Sequence, residues 1–202
     1  MKQLLENWRK YLNEYISGAM GDHSTPKKEE IIQRFPDLQK LSDHEANQIL
    51  ETILNPAKKP MYFGATRGVT LSDDFLSFIK ERGSVMAEVD NAIVCKQAPV
   101  EPNFWLIGIP ENVEKGVKLF NNPRIGIEES GLEKRFWEHA IAHPDGPCVT
   151  PYFHYVLGVL LGYGEENSKA FMNRLIDEWA PAYKTWKLVN SAVKDKTPTE
   201  VI

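Results

Sequence analysis

Phe104-Trp-Leu-Ile-Gly-Ile-Pro-Glu-Asn-Val-Glu-Lys115 decides the fold. Its first six residues form a short apolar run of the aromatic and β-branched kind that suits a pleated strand. Pro110 then stands at or near the first turn of a helix, where its missing N–H costs nothing. Val113, Val117, Leu119 and Phe120 supply that helix with one apolar face. A strand passing straight into a helix, in a chain whose other segments read mostly as helices, implies an α+β fold. The expectation is a small sheet packed by several helices, with a helical C-terminal third.

Upstream, Val85 to Lys96 reads as a second strand, alternating Val85, Ala87 and Val89 before the apolar Ala92–Cys95 run. Asp90-Asn91 is a bulge or tight turn dividing it. Met61-Tyr-Phe63 is a third, short strand, and Gly64-Ala-Thr-Arg-Gly68 a turn after it. Ser72 caps a helix through Phe75, Leu76 and Ile79 that Gly83 stops. Ser42-Asp-His-Glu45 is a capping box that starts a helix running to about Leu54. Pro26 opens an earlier helix, and Phe35-Pro36 ends it.

Downstream, helices are expected over about Leu132 to His143, Tyr152 to Leu161 and Glu165 to Tyr183. Trp179-Ala-Pro181 should kink or end the last. Met1 to Ile16 is an amphipathic helix with Leu4, Leu5, Trp8, Tyr11, Leu12, Tyr15 and Ile16 on one face. The organisation is therefore an amphipathic helix and linker over residues 1–25, one α+β domain over 26–193 and a flexible tail over 194–202.

A chain of 202 residues holds one sizeable core. Its net charge of −4 argues against general nucleic-acid binding, which wants a basic stripe. The longest apolar run, Tyr155 to Leu161, is too short to span a bilayer, so no membrane association is expected. Two cysteines, Cys95 and Cys148, give no disulfide framework. They fit idle thiols in a reducing cytoplasm.

Chemistry-bearing side chains crowd into Trp137–His154. His139 and His143 are four apart on a helix and share a face, the spacing that sets two imidazoles on one metal. Asp145, Cys148 and His154 follow as further ligands, and Glu138 as an acid or base. A divalent ion such as zinc would suit the set. The order Glu-His-x-x-x-His is not the metalloprotease His-Glu-x-x-His. Ordinary packing also accounts for these residues: Asp145-Gly146 is a turn dipeptide, and His154 sits among Tyr152, Phe153 and Tyr155. Elsewhere, Gly64, Arg67 and Gly68 form a candidate anion loop without the phosphate-loop lysine and serine. Glu88 and Asp90 point the same way from one strand, as a solvated edge would have them.

Leu4-Leu-Glu-Asn-Trp-Arg-Lys-Tyr-Leu-Asn-Glu14 resembles the short amphipathic leader of many tailed-bacteriophage proteins, especially marine ones. That resemblance covers about fifteen residues. It implies a phage gene and packaging in the virion, with Leu4, Trp8, Leu12 and Tyr15 docking on a phage or host protein. Phe104–Lys115 and His154-Tyr-Val-Leu-Gly-Val-Leu-Leu-Gly-Tyr163 resemble a family of small archaeal and bacterial proteins of unknown function. There a Leu-Gly-Tyr-Pro-x-Cys-Cys-type segment precedes a phenylalanine. Here Gly164 replaces the proline, and Glu166-Asn167 stand near the cysteine positions. The resemblance therefore implies architecture alone: Gly158 for close helix approach, and Gly162-Tyr163-Gly164 as a helix break. The functional expectation is an accessory protein of the host cytoplasm or virion that binds other proteins. The alternative is a small metal-dependent hydrolase built on His139, His143 and His154.

Overall fold

The computed structural model describes residues 26–66, 68–90, 103–143 and 146–194. The N-terminal face of Leu4, Trp8, Leu12 and Tyr15 lies outside them, as do Arg67, Asn91, Cys95, Asp145 and the tail from residue 195. Among the described residues there are eight helices and three strands, so the fold is α+β. Two compact units divide the chain, Met1–Phe120 and Asn121–Ile202. The sequence reading drew a single domain over 26–193 and did not separate them.

The first unit is built on the deciding stretch. Strand β3 (Asn103–Gly108) is the middle of an antiparallel sheet ordered β1-β3-β2, with β1 Met61–Ala65 and β2 Val85–Asp90. Tyr62 and Met86 both face Ile107 across the register, so these three share a side with Trp105. Helices α1 (Pro26–Arg34), α2 (Pro36–Gln39), α3 (Asp43–Leu54) and α4 (Asp73–Glu81), with Phe35 between the first two, bring Ile31, Phe35, Leu38, Ile49, Leu50, Phe75 and Phe78 to the core on that side. On the other side lies α5 (Pro110–Phe120), where Gly116 approaches Leu106 and Met61. Phe63, Phe104 and Phe120 cluster beside it at centroid distances of 4.8 to 6.4 Å.

Local signals place these elements. The Ser42 side chain accepts from Glu45 N–H while Glu45 accepts from Ser42 N–H at 3.1 Å, the capping box read from the sequence. Phe35, between α1 and α2, is pinned by Phe75 and Phe78 at 5.1 and 5.0 Å. The Asp37 carboxylate accepts the Ser72 N–H at 2.7 Å and so fixes the start of α4. Gly83, at φ +73, stops it.

Strand β1 runs further than expected. Thr66 N–H donates to Asn103 O, and Ile109 N–H to Pro60 O, both at 3.0 Å. Hydrogen-bonded pairs alternate in an antiparallel ladder, so Gly64↔Trp105 belongs to the same set. Gly64 is thus a ladder residue rather than the opening of a turn. It stands where a side chain would run into the Tyr62 ring.

The second unit is helical: α6 Lys134–Ala142, α7 Pro151–Leu160 and α8 Glu165–Lys194. Gly158 lets α7 and α8 touch, since a Cβ there would come 2.6 Å from Ser168 Oγ. Gly162 and Gly164, at φ 89 and 79, make the break between them. The turns from Pro123 to Ser130 are tied down by buried hydroxyls. Thr150 donates to Ile125 O at 2.7 Å, and Ser130 to Gly126 O at 2.7 Å. Helix α8 does not end at Pro181, as the sequence reading allowed; it continues to Lys194. Proline removes the bond to the Asp177 carbonyl, but Asp177 and Pro181 are exposed, so the loss is made on the solvent side of the helix, where it is cheap. Cys148 is disulfide-bonded, which corrects the expectation of an idle thiol there.

Candidate functional site

Helix α6 carries the site because its two faces differ. Phe136, Trp137 and Ala140 are buried, while Glu138, His139 and His143 are exposed. Trp137 is fully enclosed, and its Nε1–H donates to Ser130 O at 3.1 Å. Phe136 meets Tyr183 at 5.3 Å, Trp186 at 5.8 Å and Trp179 at 6.4 Å, all on α8. A polar clip closes one edge. Tyr183 Oη donates to Glu133 Oε1 at 2.6 Å, and Lys187 lies 3.4 Å from the same oxygen. That bond raises the Tyr183 pKa, because ionising the phenol would set it against the carboxylate.

The opposite edge stays open. A groove of about 410 Å³ runs between α6 and α8, lined by Phe136, His139, Ala140, His143, Gly146, Trp179, Ala182, Thr185, Trp186 and Val189. The α8 residues Trp179, Ala182, Trp186 and Val189 follow a three-four-three spacing, the seam along which a helix buries one side. Here that seam is only half covered. Trp179 and Trp186 are half-buried, Val189 is 58% exposed and its neighbour Leu188 72%.

The histidines do not share one environment. The His139 and His143 rings lie at the groove mouth, 6.2 Å apart, with Trp186 6.5 Å from His139. His154, on α7, instead packs edge-on against Phe153 and Phe171 at 5.9 and 5.8 Å. The residue is half-buried, but its Nδ1 is out of water. Burial pushes its pKa down to about 4, so it is neutral at neutral pH. Among the described residues no three His, Cys, Asp or Glu side chains gather closely enough to hold a metal. Disulfide-bonded Cys148 offers no thiolate.

The other predicted residues fall elsewhere. Gly64 commits its N–H to the sheet ladder, and Gly68 takes a positive φ of 73 in the turn after it. Exposed Glu88 accepts a hydrogen bond from Asn103 Nδ2 on the neighbouring strand. The groove was missed because its tryptophans read as ordinary helix contacts; the three-four-three spacing on α8 was the available signal. No family model, curated protein or solved structure matches this chain. Among the described residues no helix is long and apolar enough to cross a membrane.

Proposed function

We propose that this protein acts by binding another protein, with the groove between α6 and α8 as a contact surface. The observation that carries the reading is the open edge: Trp179, Trp186 and Val189 present apolar surface around a cavity of about 410 Å³ instead of closing it. Aromatic side chains at a rimmed, half-open groove are what protein anchors seek. The amphipathic leader read from the sequence supplies a second contact through Leu4, Trp8, Leu12 and Tyr15. Its resemblance to phage leaders makes a phage or host protein the partner; of the two expected places, host cytoplasm and virion, the disulfide at Cys148 favours the virion.

The test is affinity capture from cells making the intact protein, with the captured partner identified and then purified. Val189→Asp should leave the circular dichroism spectrum unchanged and cut affinity for that partner at least about tenfold, since a carboxylate would be desolvated on docking. A chain beginning at Pro26 should stay folded and also bind more weakly. Wild-type affinity in Val189→Asp would remove the groove from the interface. Unfolding of the shortened chain would make the leader part of the core.

A further inference from the structure

We propose that His139 and His143 together hold one exchangeable late transition-metal ion, with copper(II) preferred over nickel(II) and zinc(II). Two independent features converge on this. First, the two imidazoles stand one turn apart on the same side of α6, exposed, with ring centroids 6.2 Å apart. At a metal–nitrogen distance of about 2.0 Å, two rings on one ion have centroids roughly 5 Å apart, so a small rotation of exposed side chains closes the pair. Second, His139 lies in the last turn of α6 and His143 is its C-cap residue. The partial negative charge of that helix end favours a cation.

Neutral imidazole is a ligand for copper, nickel and zinc rather than for magnesium or calcium, and copper(II) heads the affinity order. Two protein donors fall short of the four that lock a structural zinc, so water fills the remaining positions and the ion exchanges. Those positions open at the mouth of the aromatic groove. The site differs from the cluster expected from the sequence: His154 is spent among Phe153 and Phe171, and no acid–base step by Glu138 is involved.

Trp186, whose ring is 6.5 Å from His139, reports occupancy, because copper(II) quenches indole fluorescence at short range. The full chain is titrated with copper(II) chloride in a weakly coordinating buffer, beside His139→Ala, His143→Ala and His44→Ala. All three histidines are exposed, so the fold survives each change. The expected result is saturable one-to-one quenching in the wild type and in His44→Ala. Affinity should fall at least about tenfold in each of the other two variants. Electron paramagnetic resonance should show two nitrogen ligands. Magnesium should quench nothing. Equal binding by all four proteins, or a single-nitrogen spectrum in the wild type, overturns the proposal. Val189→Asp should keep the metal while losing a protein partner, which separates this site from the docking surface.

Discussion

The two units treat their tryptophans differently. In the first, Trp105 lies in the middle strand at 1% exposure, beneath helices that bring Phe75, Ile49 and Leu50 to full or nearly full burial. In the second, Trp137 is sealed, but Trp179 and Trp186 stay half-buried on α8. A sheet face is broad and needs several helices to cover it, and here it receives four. Two helices meeting along one seam cover only the strip between them. Helix α6 stops at Ala142, whereas α8 runs on to Lys194. The apolar surface left over is a consequence of length, and it is the surface proposed above as a contact.

The sharpest way to break that contrast is to remove one indole from each setting. Trp105→Ala should destabilise the protein by about 3–5 kcal/mol, the cost of a large cavity that packed neighbours cannot close. Trp186→Ala should cost about 1–2 kcal/mol, since much of its ring already meets water. Urea unfolding followed by circular dichroism decides it. Equal losses would mean that the groove is part of a closed core.

The histidines sharpen the comparison within the second unit. His154 has a folded pKa of about 4 against about 6.5 unfolded, so between those values the unfolded chain binds the proton more readily. Stability is therefore complete above about pH 6.5 and declines as pH falls toward 4, by up to roughly 1 kcal/mol per pH unit. Partial exposure of the residue lowers that slope. In His154→Leu this contribution to the slope should vanish over the window, leaving stability flatter with pH than in wild type. An unchanged slope would place the imidazole in water.

A comparable link in the first unit works through an acid. The Ser72 hydrogen bonds, aided by Lys40, hold the Asp37 carboxyl below its ordinary pKa. Its contribution is present above the unfolded value near 3.9 and is lost as pH falls through the lower folded one. Asp37→Asn should cost about 1–2 kcal/mol at pH 7 by weakening a charge-assisted bond to the Ser72 N–H. A loss of that size at pH 7 that disappears near pH 2 confirms it. A loss that is the same at both pH values points to packing instead.

Elements with a local cause were legible in the sequence. The Ser42–Glu45 box, Pro110 at a helix start, Gly83 at a helix stop and the Gly158 contact all act within a few residues or need only a missing side chain. What was not legible depends on distant neighbours. Gly64 reads as a turn until Trp105 is known to pair with it. Pro181 reads as a helix end until its face is known to be solvated. The four-residue spacing of His139 and His143 was visible, but His154 could be placed only once Phe171 closed over it.

The smallest expected effect is the most informative about binding. Leu188 is 72% exposed, more than any other large hydrophobic side chain among the described residues, and it follows Lys187 and precedes the groove residue Val189 on α8. Leu188→Asp should change unfolding free energy by no more than about 0.5 kcal/mol, because little of the side chain leaves water on folding. Helix propensity also shifts slightly against aspartate, which fits the same range. If the measured loss is instead about 2 kcal/mol or more, Leu188 is covered in solution and this end of α8 is packed against something. A near-zero change alongside weakened capture of the partner would show that this apolar surface serves association and not folding.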